Sequence, residues 1–218
     1  MKKLLIALLV SVSTLAMADC PNLYPNNKTM SVPKTVELCN IFYVSRFNTF
    51  SKAVVVTSER LSKNTPVSSL SRITSFHADS RLTNTPRPGD YTGSGYDKGH
   101  MVASDDASTS DEMYETFLMT NMTPQEPTLN QQSWRLLEDS IRRQFLAENV
   151  DYWVVTVALY KAPTKYIGKN IPVPKGYWKI VYRPTGTDYY FAENKPYAKV
   201  QKMSAVDVNA LIQNAQNY

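Results

Sequence analysis

Histidine and cysteine are scarce in this chain: its 218 residues hold two of each. Two cysteines cannot build a disulfide-dense miniprotein or a cysteine-ligated zinc site. Two histidines leave only His77 and His100 as candidates if the chemistry here needs an imidazole base. Internal repeats and low-complexity linkers are missing, which argues for one domain over residues 19–218. No charge of one sign dominates, since the formal net charge is +5. What is present is an ordinary globular mixture, 43% hydrophobic and 11% aromatic, which argues against wholesale disorder or a fibrous repeat.

The first 18 residues read as a signal peptide. Lys2 and Lys3 give a positive start, Leu4–Val10 is an unbroken apolar run, and Ala16-Met17-Ala18 offers small residues at the cleavage positions. The competing reading is a membrane anchor, for which the run is short. Loss of residues 1–18 removes two lysines and no acid, so the formal charge falls from +5 to +3. That excess permits a polyanionic partner without arguing strongly for one, and attraction to phosphate must come from locally placed Lys and Arg. Export leads to an oxidising compartment, where Cys20 and Cys39 are expected to pair and tie the mature N-terminus to the first strand, the alternative being two free thiols. Closing that loop contributes about 3 kcal/mol on chain-entropy grounds.

Strands are expected at Val36–Phe47 and Ala53–Thr57, Asp151–Tyr160, Tyr177–Tyr182 and Tyr189–Ala192, all rich in β-branched and aromatic residues. Residues 61–95 read as loop. Thr109-x-x-Glu112 has the form of a capping box opening a short helix through Met113–Phe117. Leu137, Ile141 and Phe145 recur every four residues inside a helix over Leu129–Asn149, and Ser204–Gln216 can form a closing helix. This order predicts an α+β fold: a central, mainly antiparallel sheet flanked by helices.

Chemistry-bearing residues cluster between positions 91 and 142. In Asp97-Lys98-Gly99-His100, a turn or strand edge presents an imidazole able to take a proton near neutral pH. Asn130, at the start of the long helix, is either an N-cap or an oxygen ligand for a hard cation. Asn130, Trp134, Glu138 and Arg142 are four apart and share one helix stripe. Asn130 and Glu138 are then about 12 Å apart along the axis at about 1.5 Å per residue, so an undistorted helix cannot bring both directly to one ion. A Mg²⁺ that keeps most of its waters suits such an arrangement. The plainer reading of the stripe is a solvated Glu138–Arg142 pair. Likewise Asp105, Asp106, Asp111, Glu112 and Glu115 read as loop solvation and helix-start charge, and the aromatic strands as core.

Taken together, Tyr91-Thr92-Gly93, Asp97-Lys98-Gly99-His100, Asn121-x-Thr123-Pro124-Gln125 and Leu129-Asn130-Gln131-x-x-Trp134-x-x-Leu137-Glu138 resemble the DNA/RNA non-specific endonucleases, secreted sugar-non-specific nucleases with a ββα-metal active site. The resemblance runs roughly from Val36 to Ala192. It implies that His100 is a general base activating water and that Asn130 is the direct protein ligand of Mg²⁺ (or Mn²⁺). Glu138 would orient metal-bound water, Asn121 would be a supporting amide, and Arg72 would stabilise the transition state. DNA and RNA would be held through backbone phosphates, Lys98 contributing, with 5′-phosphate products. His77 is then structural or DNA-facing. Two departures stand out. Lys98 replaces the usual Arg and loses its bidentate fork, and Thr156-Val157-Ala158-Leu159-Tyr160 lacks the Gly-Pro expected after the strand threonine. The rival readings are a catalytically decayed nucleic-acid-binding module and a Mg²⁺-dependent phosphodiesterase of small esters.

Overall fold

The computed structural model describes residues 19–65, 70–71, 75–162 and 164–217. The proposed leader, residues 1–18, and Arg72 lie outside the described residues. The chain enters through Cys20, bonded to Cys39 by the expected disulfide with Cα atoms 6.1 Å apart. Three antiparallel strands follow: β1 (Val36–Cys39), β2 (Tyr43–Asn48) and β3 (Ala53–Leu61). The single strand expected over Val36–Phe47 is therefore two. Asn40 breaks it, its backbone N–H closing the turn onto the Tyr43 carbonyl at 2.8 Å. After the long loop, β4 (Asp97–His100) pairs with β5 (Met122–Gln125) as a separate two-stranded ribbon. Between them lies α1 (Ser110–Thr116), opened by the expected box: Thr109 accepts from the Glu112 N–H, and the Glu112 carboxylate accepts from the Thr109 N–H.

The long helix starts as a π-helical stretch, Leu129–Trp134, and continues as α2 (Arg135–Glu148), closed by Asn149 in the left-handed conformation at φ 50°. Asn130 is thus inside the helix and not at its cap. The capping group is Glu126, whose carboxylate accepts from the Leu129 N–H at 2.8 Å and the Thr128 hydroxyl at 2.6 Å. The remaining elements are β6 (Tyr152–Lys161), the short pair β7 (Tyr166–Ile167) and β8 (Ile171–Pro172), β9 (Gly176–Arg183), β10 (Gly186–Glu193), β11 (Gln201–Met203), α3 (Val208–Gln213) and β12 (Gln216–Asn217). Strand order is β1-β2-β3-β6-β9-β10-β11, antiparallel throughout, with β12 adding a parallel contact to the end of β6. The class expected from the sequence is the class found.

The sheet has two differently built faces. Because successive side chains on a strand point to opposite sides, β6 sends Tyr152, Val154 and Tyr160 to one face and Val155, Val157 and Leu159 to the other. On the first face, Leu137, Ile141 and Phe145 of α2 pack against Tyr152, Val154 and Val181, each such burial contributing about 2 kcal/mol. On the second, Ile212 of α3 and Val32 close over Val55, Val155, Val157 and Ile180. The β4–β5 ribbon lies against the first face: the Tyr177 hydroxyl of β9 donates to the Pro124 carbonyl at 3.2 Å. Ribbon and long helix therefore meet above that one face.

Candidate active site

The ribbon sets the side-chain directions. Lys98 and His100 alternate to one side of β4, opposite Pro124 and Met122 of β5. Gly99 between them is required by its neighbour: a Cβ there would fall 2.1 Å from Gln125 Oε1 and 2.4 Å from its Cβ. The His100 ring is seated edge-on to Phe117 at 4.9 Å and tilted to Phe76 at 5.8 Å. The Lys98 ammonium lies over the Phe76 ring at 4.9 Å, a cation–π contact that orients a flexible chain.

Asp97 links ribbon to helix. One of its carboxylate oxygens accepts from Asn130 Nδ2 at 2.9 Å and from Gln131 Nε2 at 2.8 Å. A carboxylate can only accept, so the nitrogen of the Asn130 amide must face Asp97 and its oxygen must turn away. Asn130 and His100 line the same cavity, of about 540 Å³, whose walls also carry Lys98, Asp105, Glu138 and Arg142. The helix departs from straight geometry in the π-helical stretch that carries Asn130. That stretch re-aims side chains locally, as such bulges do at functional sites.

The cavity floor is a buried ionic network. Glu138 bonds the Lys179 ammonium at 3.2 Å. Lys179 is 1% exposed and also lies 5.2 Å over the Trp134 ring. Burial pushes the Glu138 carboxyl above its ordinary range, and Lys179 opposes that rise. Arg142 pairs with Asp106 at 2.8 Å and Asp139 at 2.9 Å, so the simple Glu138–Arg142 pair read from helix spacing is not formed. Asp106 is buried, not loop solvation; burial raises its carboxyl while Arg142 counters. Glu59 of β3, also buried, is pushed well above the carboxylate range by desolvation, with Asp106 adding to it.

Of the residues singled out in the sequence, Lys98, His100, Asn130 and Glu138 share the cavity. Asn121 does not line it. Its amide is spent on backbone: Oδ1 accepts from the Val102 N–H at 3.0 Å, and Nδ2 donates to the Val102 and Thr116 carbonyls at 3.0 and 2.8 Å. Asn121 thereby fixes the segment just after His100, so the support expected of it passes through that backbone. His77 does not line the cavity either. Its ring stacks on Tyr114 at 3.9 Å, Nδ1 lies 2.9 Å from the Ser75 carbonyl, and its backbone bridges to Leu118. Arg72 lies outside the described residues, although Phe76 nearby in sequence lines the cavity. Sequence reading passed over Asp97, Lys179 and Arg142 as working parts. Lys179 had left a trace: it is a lone charge at an inward position of an alternating strand, between Tyr177 and Val181.

The donor set fits a hard, hydrated cation. Asn130, its amide oxygen turned from Asp97, and several carboxylates line a polar cavity, and oxygen ligands with retained waters are what Mg²⁺ favours. Among the described residues, the one group of three metal-ligating side chains within reach of each other is Cys20, Glu37 and Cys39, and its cysteines are disulfide-bonded. A closed all-protein cage at the pocket is not present among those residues.

A ribbon and a helix enclosing one histidine and one oriented amide oxygen define a ββα arrangement of the nuclease kind. The comparisons with known proteins agree: the DNA/RNA non-specific endonuclease profile matches residues 23–216, and the chain belongs to that family. A nuclease of Nostoc is 39% identical over 99 residues, covering 43% of this chain and 34% of that protein. Human mitochondrial endonuclease G is 36% identical over 119 residues, covering 49% and 38%. The matched stretches thus span little more than a third of those relatives' lengths. A chain in the crystal structure of the EndoG/EndoGI complex superposes with a TM-score of 0.65 at 23% identity, covering 73% of this chain and 74% of that one, which shows the shared fold.

Proposed function

We propose that this protein is an exported, Mg²⁺-dependent endonuclease that hydrolyses phosphodiester bonds of DNA and RNA with little regard to sequence, leaving 5′-phosphate ends. The observation that carries the reading is the Asp97–Asn130 bond at 2.9 Å. It turns the amide nitrogen of a cavity-lining residue toward Asp97 and leaves the oxygen to serve a cation beside His100 and Lys98. Asn130 would hold the metal, with Glu138 orienting its water. Bound there, a divalent cation supplies Lewis-acid polarisation of the phosphate and stabilises the leaving oxygen. His100 takes a proton from the water that attacks phosphorus in line with the 3′-oxygen. Lys98 and Arg142 offer fixed positive charge to the non-bridging oxygens, Arg142 held rigid by its two carboxylates. Arg72 is proposed to join them. Contacts to phosphate and not to base edges account for weak sequence preference.

Export, to the periplasm or the exterior, is proposed from residues 1–18 and supported by the Cys20–Cys39 disulfide, a bond favoured in oxidising compartments. No described helix is long and apolar enough to cross a membrane. The test is digestion of supercoiled plasmid and of structured RNA, with and without a chelator, followed by end-group labelling. Mg²⁺-restored nicking of both with 5′-phosphate ends is the expected result. Binding without cleavage, or turnover of small aryl diesters alone, contradicts the proposal.

A further inference from the structure

On the loop between β10 and β11, which is bonded to the segment carrying Asn130, Tyr197 is 78% exposed with its backbone at φ 56°. That conformation is unfavourable for a bulky residue and persists only where surrounding structure enforces it. The ring adds almost nothing to the core and stands open to solvent. A turn closed by the Ala198 N–H on the Lys195 carbonyl at 3.2 Å, with Pro196 ahead of Tyr197, sets that conformation, and further contacts tie the loop to the active-site helix, the ribbon and the β8–β9 connection. Asn194 donates to the Pro124 and Pro174 carbonyls at 2.9 and 3.0 Å and accepts from the Glu126 N–H at 2.8 Å. The Tyr197 N–H donates to Thr128 Oγ1 at 2.7 Å, and Ser133 Oγ donates to the Ala198 carbonyl at 2.6 Å. These last two bonds bracket Asn130 in sequence. The loop borders a groove of about 300 Å³ and carries Lys195 and Lys199. Lys195 is paired with Glu193, whereas Lys199 has no carboxylate partner among the described residues.

We propose that this loop is a stacking platform for an unpaired nucleotide of the substrate strand, beyond the scissile phosphate, with Tyr197 against the base and Lys199 against the backbone. The inference rests on the nucleic-acid reading above and adds a second contact site to it. Every base has a π face, so stacking on one tyrosine tolerates any sequence, and an ammonium contributes without reading bases. Bases in a duplex are already stacked on each other. The platform therefore favours single-stranded or frayed nucleic acid.

Two measurements test it. Steady-state kinetics of Tyr197→Ala, Tyr197→Trp and Lys199→Ala on a long single-stranded oligonucleotide, a duplex and a dinucleotide should show a KM for the long single strand raised about tenfold by Tyr197→Ala. Tyr197→Trp should restore it, and the effect should shrink with substrate length. Photocrosslinking of wild-type protein to a 5-iodouracil-substituted strand, with chelator present to prevent cleavage, should label the 195–199 peptide at Tyr197. A long-strand KM within twofold of wild type, an equal rise on the dinucleotide, or no crosslink in that peptide overturns the platform. Should the wild-type protein cleave nothing, the hydrolase reading fails while the crosslink still decides this one.

Discussion

The two faces of the central sheet are made from the same strands and built to opposite rules. Lys179 and Ile180 are neighbours on β9, both buried. Ile180 joins an apolar cluster sealed by Ile212 and Val32, while Lys179 points under α2 to Glu138. On the α3 face, burial of hydrocarbon dominates, with no buried ion pair among the described residues. On the α2 face, Glu59, Glu138, Asp106, Arg142 and Lys179 stand where further Leu or Val would serve stability better. A buried ion pair is often no more stabilising than well-packed hydrocarbon. The difference shows where stability has been given up to fix charges beneath a cavity, and perturbed carboxylates in a cleft mark such places.

The sharpest way to break this comparison is to mutate the two neighbours. Lys179→Met leaves Glu138 buried without its cation. It should lower unfolding free energy by about 3–5 kcal/mol and cut kcat per folded molecule more than tenfold; chemical denaturation and initial rates measure both. Ile180→Ala should cost about 3 kcal/mol with kcat per folded molecule unchanged. Equal kinetic effects from the two would erase the distinction. Within the cavity, Asp97→Ala frees the Asn130 amide and should weaken metal affinity about 10–100-fold, read by calorimetric Mg²⁺ titration; unaltered affinity removes Asp97 from the site.

The smallest expected effect lies away from both regions. Burial disfavours charge on Asp79, but hydrogen bonds from Arg81 and Thr120 outweigh it and hold the carboxyl below its ordinary range. Stability from Asp79 is thus full above that range and is lost as pH falls through the lowered value. Asp79→Asn should cost about 2 kcal/mol at neutral pH and flatten the acid limb of a stability–pH curve below about pH 4. An unchanged acid limb contradicts this account.

How far the sequence spoke depends on how local the cause was. The capping box at Thr109 and Glu112, the four-residue spacing of Leu137, Ile141 and Phe145, and the alternation in β6 are local, and the expected elements formed there. The break at Asn40 depends on a turn bond to Tyr43 across three residues, and residue types alone did not reveal it. The motifs carrying Lys98, His100, Asn130 and Glu138 led to one cavity. The network beneath it pairs residues 36 to 41 positions apart, as in Asp106–Arg142 and Glu138–Lys179. Such pairs exist only once the sheet and α2 have met. Asn121 illustrates the same limit: its residue type fitted a supporting amide, and only its location shows which backbone groups beside His100 it holds. The π-helical start of the long helix lies among long-range bonds from Asn194 and Asp97, which no periodicity announces.

The most direct test of the central claim compares the two histidines. Rates of single-stranded and duplex DNA cleavage should fall about a thousandfold in His100→Ala, with oligonucleotide binding retained, while His77→Ala keeps most of its activity per folded molecule. Near-normal cleavage by His100→Ala, or the reverse ranking of the two variants, contradicts the assignment of this cavity as the active site.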